Sequence, residues 1–253
     1  MWKVRREVRR AWMRAKVSFL LYFPGKLHVE FRGLSIPVGR SGIDKTILSL
    51  LVRDAYELPE IDGLRRTIRP GDRVLEVGAG LGIVTALAAR AAGPSGRVLS
   101  FEANPELIPA TRDFLALHGH ETVELRHAVL VPQDTTDDSC EFYVTDLFSS
   151  SSLLPPKYNG DTGSITVPAE RVADVFADFQ PDILICDIEG GEAVLLPALP
   201  ASSLRAVVVE LHPDVLSSDQ IGVIEEAMAA QNLVPQKVNL EGGGAVVIYA
   251  RES

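Results

Sequence analysis

Cysteine is scarce in this 253-residue chain: Cys140 and Cys186 are too few for a disulfide framework. Cys186 lies in the apolar run DILICD, where a buried, reduced thiol is expected, and this points to a reducing compartment. No Cys/His spacing of a metal centre is present. Long apolar runs are also missing. VSFLLYF at 17–23 falls well short of the roughly 20 residues that cross a bilayer. It is a poor secretory core as well, since Pro24-Gly25-Lys26 follows and no A-x-A cleavage site appears. No internal repeat is evident. The expectation left standing is a cytoplasmic α/β chain.

The charge is unevenly placed. Residues 1–16 carry seven Lys and Arg against Glu7, a net +6, which leaves −15 for the rest of a chain whose total is −9. An acidic body of this kind argues against a broad nucleic-acid footprint. Helical spacing puts Val4, Val8, Trp12, Ala15 and Phe19 on one stripe among the arginines. Such a helix can lie on the inner membrane surface, dock on a partner protein through residues 1–23, or pack on its own core. The organisation expected is a basic amphipathic helix at 1–25, a strand and helix preface at 26–70, and a main domain at 71–253. Oligomeric state leaves no mark on the sequence.

The preface opens with a strand pair, KLHVEFRGLSIPV, and continues as helix over 44–69 with a break near Pro59. After Pro70-Gly71-Asp72, apolar strands alternate with helices. Strands are expected at 73–77, 97–103, 123–130, 182–188 and 206–211, with two more near the C-terminus around EGGG. Helices are expected at 83–92, from Asn104-Pro105-Glu106, from about Gly191 and at 218–230. This pattern specifies a mostly parallel, doubly wound sheet covered on both faces, in which ligands bind at the carboxyl ends of the strands. Those ends carry Gly78–Gly82, Glu102, His127-Ala128, Asp187–Glu189 and His212.

The first of them, VLEVGAGLGIVT, sets Gly78, Gly80 and Gly82 on alternate residues, each at a cost in backbone entropy. A dinucleotide fingerprint reads G-x-G-x-x-G, and Ile83 stands where its third glycine belongs. The alternative is S-adenosylmethionine, whose amino acid end can lie over a tight glycine turn, with Glu76 bonding to backbone or to the ligand's ammonium. Glu102, 20 residues beyond Gly82, ends the second strand, where a carboxylate can accept from both hydroxyls of an adenosine ribose. Both cofactors carry that diol, so Glu102 leaves the choice between them open.

The motifs E-V-G-A-G-L-G and F-E-A-N-P resemble the first two of the class I S-adenosylmethionine-dependent methyltransferases. DAYELPEI, ILICDIEGGE and VVVELHP at 54–61, 183–192 and 207–213 resemble the corresponding blocks of the FkbM family, so that the likeness covers roughly 30–250. Glu76 departs from it, standing where many members have Asp. The resemblance implies a Rossmann-like class I fold of seven strands with the last antiparallel, S-adenosylmethionine as cofactor, and O-methylation of a sugar, glycan or secondary metabolite. Cofactor contacts fall to Glu76, Gly78, Ala79, Gly80, Gly82, Glu102, Ala103, Ala128 and Asp187. Ala103 and Ala128 are placed beside the adenine, and Tyr56-Glu57 and Ser149–Ser152 are expected either to line the acceptor side or to fold over the cofactor.

Methyl transfer to a hydroxyl needs an aimed nucleophile and a base. Asp187, Glu189 and His212 are the catalytic candidates, with His212 as a general base of near-neutral pKa. Asp187, Glu189, Glu210 and His212 also have the chemistry to hold a divalent cation, but no metal is assigned. A nucleic-acid enzyme of this fold would carry an Asp/Asn-Pro-Pro-aromatic or Pro-Cys block at the fourth strand, where this chain has Asp-Ile-Glu-Gly. The competing readings are a dinucleotide oxidoreductase and a non-catalytic adapter that keeps the cofactor fold.

Overall fold

The computed structural model describes residues 13, 15–20, 22, 27–120, 123–144, 163–236 and 245–251, and the chain divides into two units, Met1–Leu58 and Pro59–Ser253. In the first unit, strands β1 (His28–Phe31) and β2 (Leu34–Pro37) form an antiparallel hairpin. Its two-residue turn, Arg32-Gly33, has φ of 51° and 78°, the double positive-φ geometry that matches strand twist. Alternation buries Val29 and Phe31 with Leu34 and Ile36. Helix α1 (Lys45–Val52) packs on β1 and starts at Asp44, whose carboxylate accepts from the Ile47 N–H at 2.8 Å. Tyr56 is buried edge-on against Phe31, ring centroids 6.2 Å apart.

Of the apolar stripe expected in the basic helix, Ala15 and Phe19 are described, and both are exposed. Val17 and Leu20 are buried instead, so the inward face belongs to a branched and a long aliphatic side chain three apart. Val4, Val8 and Trp12 lie outside the described residues, as does Ser149–Ser152. The helical break also differs from expectation. Asp54 and Glu57, both at positive φ, make the turn, and α2 (Leu58–Thr67) already contains Pro59 in its first turn, where proline's missing N–H costs nothing.

The second unit is built on a seven-stranded sheet. Its strands are β3 (Arg73–Val77), β4 (Arg97–Glu102), β5 (Val123–His127), β9 (Ile183–Cys186), β10 (Ala206–Glu210), β11 (Val234–Pro235) and β12 (Val246–Ala250). They lie in the order β11-β12-β10-β9-β3-β4-β5. Pairing is parallel from β5 through β10, and β12 enters antiparallel beside β10, so the expected fold class is the one observed. The chain winds outward from β3 to β5 and returns to β9, which makes β3/β9 the point where strand order reverses and a crevice opens.

Helix α3 (Ile83–Ala92) is rich in alanine and lies buried along most of its length. Gly63 of α2 lets that helix sit on β10, since a Cβ there would come 2.7 Å from Val208 Cγ1. The expected strand 123–130 is broken at Ala128. Beyond it, β6 (Val129–Val131) joins a separate sheet with β7 (Ser139–Val144) and β8 (Gly163–Arg171), in the order β6-β8-β7. Helix α4 (Ile108–Leu117) starts later than Asn104 predicts. The Asn104 side chain instead accepts from the Glu106 N–H at 3.0 Å in a local turn ahead of the helix.

The amino ends of the strands are tied by charge. Arg205, ahead of β10, meets Asp72, ahead of β3, through two bonds of 3.2 and 2.5 Å, and also donates to the Thr67 carbonyl. Asp72 further accepts from the Arg69 N–H at 2.6 Å. A bidentate, largely buried pair of this kind leaves an unmatched charge when one partner is removed. Asp72→Ala is therefore expected to lower unfolding free energy by about 3 kcal/mol, read as a fall in urea midpoint at unchanged slope. An unchanged midpoint would remove the clamp from the account.

Candidate active site

Parallel register delivers the candidate residues to one edge. Val77 pairs with Phe101 and with Cys186, Glu102 with His127, and Cys186 with Val209. Gly78, Ala103, Ala128, Asp187 and Glu210 therefore emerge side by side at the carboxyl ends.

The glycine turn is first a matter of the protein meeting itself. Gly78, at φ 97°, faces β9's continuation so closely that a Cβ would overlap the Asp187 carbonyl oxygen. Gly82, at φ 70°, is pressed on α4, where a Cβ would lie 2.6 Å from Thr111 Cγ2. Both glycines are thus needed whether or not a ligand binds, and their presence alone does not separate a cofactor site from an adapter. The turn is held by Gly78 and Ala79, whose N–H groups both donate to the Phe101 carbonyl. Thr111 Oγ1 donates to the Gly80 carbonyl at 3.0 Å, and the Gly80 N–H donates to Glu102 at 2.7 Å.

Glu102 accepts that bond on one oxygen and the Asn104 N–H, also at 2.7 Å, on the other. Burial pushes its pKa up while these backbone donors pull it down. Each oxygen keeps acceptor capacity for a diol. Nearby, His127 Nε2 lies 3.0 Å from the Ala103 carbonyl, which can only accept, so this nitrogen carries the proton.

Glu76 is 1% exposed, its carboxylate enclosed between Thr85 of α3 and Ser100 of β4. One oxygen accepts from Thr85 at 2.6 Å and from Ser100, its register partner on β4. The other, Oε1, is buried with no hydrogen-bond partner among the described residues. Burial outweighs the bonds from Ser100 and Thr85 and pushes the pKa up to about 7. Thr85 and Ser100 went unread in the sequence, although a lone hydroxyl in each of IVTALAARAA and RVLSFE was the available signal.

At the β9/β10 edge, His212 Nε2 lies 3.5 Å from Asp187 and 3.4 Å from Glu189, and Nδ1 lies 3.2 Å from Glu192. Burial alone would lower the His212 pKa, but the carboxylates of Glu192, Asp187 and Glu189 push it up to about 9. The general base of near-neutral pKa expected from sequence is thus, in the free protein, a cation that balances its neighbours. Burial raises Glu189, with His212 opposing the shift. Glu192 is fully buried, and one of its oxygens accepts from the Ile188 N–H at 2.9 Å. The helix that begins there is only Glu192–Leu195. Asp187, Glu189 and His212 are thus brought together, and so are Glu76, Gly80 and Glu102 around the glycine turn.

A methyltransferase FkbM domain model matches residues 76–231. The protein-L-isoaspartate O-methyltransferase of Ignicoccus hospitalis is 36% identical over 194 residues, 76% of this chain and 74% of that protein. The arsenite methyltransferase of Halobacterium salinarum is 30% identical over 104 residues, 41% of this chain, and the chain spans only 27% of that relative's length. Among solved structures, a putative rRNA-methylase from Clostridium thermocellum superposes with a TM-score of 0.45 at 14% identity, over 76% of this chain and 93% of that one.

Two measurements test the turn and the carboxylate beneath it. Gly82→Ala should destabilise by about 3 kcal/mol, from left-handed strain and the clash with Thr111. Adding Thr111→Ser, which removes the methyl and keeps the hydroxyl, should recover about 1 kcal/mol of it; no recovery would place the strain elsewhere. For Glu76, the folded pKa of about 7 lies above the unfolded 4.5. Its stabilising contribution is present below pH 4.5 and is lost as pH rises through 7. Relative to Glu76→Gln, the wild type should lose about 3 kcal/mol between pH 4 and pH 8 in urea titrations. Parallel pH profiles for the two proteins would contradict this.

Proposed function

The chain belongs to the FkbM family of class I S-adenosylmethionine-dependent methyltransferases, and from that premise we propose that it methylates oxygen, taking as acceptor a hydroxyl of a sugar, glycan or secondary metabolite. The observation that carries the oxygen reading is the convergence of Asp187, Glu189 and His212 at the strand ends beside the glycine turn. A hydroxyl gives up a proton as it is methylated, and a clustered pair of carboxylates beside a balancing cation provides a place for it.

The residues present fit the cofactor. Glu102 offers acceptors on both oxygens toward a ribose diol. Glu76 holds a buried acceptor, Oε1, suited to an ammonium, and its raised pKa means that it gives up a proton to meet that charge. Gly78, Ala79, Gly80 and Gly82 shape the turn between these two carboxylates, and Ala103 and Ala128, one residue beyond Glu102 and its register partner His127, are the small side chains assigned to the adenine. When bound, S-adenosylmethionine supplies an electrophilic methyl on a sulfonium. The chain's part is to aim the acceptor oxygen in line with it and to receive the proton on Asp187 or Glu189 while His212 balances their charge.

A small-molecule or glycan acceptor is favoured over nucleic acid by the −15 carried beyond residue 16. No helix among the described residues is long and apolar enough to cross a membrane. The proposed setting is cytoplasmic, with residues 1–23 available for contact at a membrane surface or a partner. An oxidoreductase is disfavoured by Ile83 in place of the third glycine.

Calorimetry with S-adenosylhomocysteine, with NAD alongside, tests the reading. S-adenosylhomocysteine should bind, NAD should not, and Glu102→Gln should weaken binding about 30-fold through loss of a charged acceptor. Binding of NAD in its place would turn the site into a redox one. If a folded protein binds neither, the adapter reading moves to the front.

A further inference from the structure

Glu192 is fully buried, yet only one of its oxygens is served, by the Ile188 N–H, while Oε2 has no hydrogen-bond partner among the described residues. Its carboxylate faces His212, with Oε1 3.2 Å from Nδ1, a charge contact outside hydrogen-bond geometry. The other ring nitrogen points the opposite way, toward Asp187 at 3.5 Å and Glu189 at 3.4 Å. A carboxylate behind one imidazole nitrogen, with carboxylates gathered before the other, is how proteins orient a metal-binding histidine. Register completes the set. Cys186 pairs with Val209, so Asp187 and Glu210 leave neighbouring strands together, and His212 follows Glu210 by two residues. One ligand atom from each of Asp187, Glu210 and His212 lies within 4.8 Å of the others, so that small side-chain rotations bring all three onto one ion.

We propose that Asp187, Glu210 and His212 bind a divalent cation of the magnesium and manganese class, with Glu192 orienting His212 from behind. One imidazole among carboxylates suits an ion that prefers oxygen and tolerates nitrogen, and among the described residues no cysteine belongs to the cluster to favour a softer metal. The sequence assigns no metal because these ligands come from the ends of two different strands, β9 and β10, with no local spacing to mark them. Three protein ligands leave coordination positions open. On the methyl-transfer reading, on which this part of the inference rests, an acceptor oxygen would fill one of them and pass its proton to Glu189, the ion replacing the His212 proton as the balancing charge. Binding of the ion itself does not depend on that reading.

The test uses Mn2+ as probe on the full chain, followed by electron paramagnetic resonance, with S-adenosylhomocysteine calorimetry on the same samples. The expected result is one bound Mn2+ per chain whose pulsed spectrum shows a directly coordinated nitrogen. Glu210→Gln should weaken binding at least about tenfold and Glu192→Gln by a similar factor, with S-adenosylhomocysteine binding unchanged in both. The coordinated-nitrogen signal of the wild type decides the matter even if a variant fails to fold. Absence of Mn2+ binding, binding without coupled nitrogen, or affinity unchanged in a folded Glu210→Gln variant would overturn the proposal. If Mn2+ binds as expected and S-adenosylhomocysteine does not, the cation site stands and the methyl-donor reading falls.

Discussion

The crossing of β3 and β9 leaves no space for a side chain. Gly78 turns away at the end of one strand with its backbone against the Asp187 carbonyl at the end of the other. That contact sets the floor of the crevice, because it brings the glycine turn and the Asp187–Glu189 segment together at the point where the sheet's winding reverses. The turn's remaining bonds follow from it. Phe101 anchors Gly78 and Ala79, Glu102 takes the Gly80 N–H, and Thr111 reaches the Gly80 carbonyl. A residue with a Cβ at this crossing would part the two strands and separate the carboxylates on either side.

The carboxyl edge concentrates negative charge that the rest of the fold must tolerate. Glu76 and Glu102 are buried beside the turn, and Glu192 is buried beneath His212, where hydrocarbon alone would expel them. Each is accommodated in its own way. Glu76 has two hydroxyl donors and a pKa near neutrality, Glu102 has backbone donors, and Glu192 has an N–H and an imidazole. At the opposite edge, Asp72 and Arg205 form a matched pair, and Asp182 accepts the Arg73 N–H. The sheet is therefore secured at its amino ends and left with incompletely satisfied acids at its carboxyl ends. Such a division of stability is expected where binding is to complete the structure.

Much of this was legible in the residues. RVLEV, RVLSFE and ILIC announce buried parallel strands because both faces are covered and the apolar run is continuous. IVTALAARAA announces its helix over the same residues that the structure shows. The seven-strand sheet, the strand-end location of the site and the pairing of Asp187 with His212 follow from that pattern. The extra sheet β6-β8-β7 did not show, since β8 lies far from its partners in sequence and Ala128 breaks no obvious apolar run. Thr85 and Ser100 were missed for a related reason. Their roles are to satisfy buried charges, and burial is decided by neighbours brought from elsewhere in the chain.

By itself, then, the sequence determined the period of each element, the winding of the sheet, and which residues stand at strand ends. These depend on local hydrophobic spacing and on turn residues. Only the tertiary structure decided why Gly78 and Gly82 must be glycines, that His212 is held as a cation among carboxylates, and that Glu192 is buried against it. Clashes, proton affinities and burial depend on distances between groups far apart in the chain, and those distances exist only once strands such as β3 and β9, or β9 and β10, have been laid side by side.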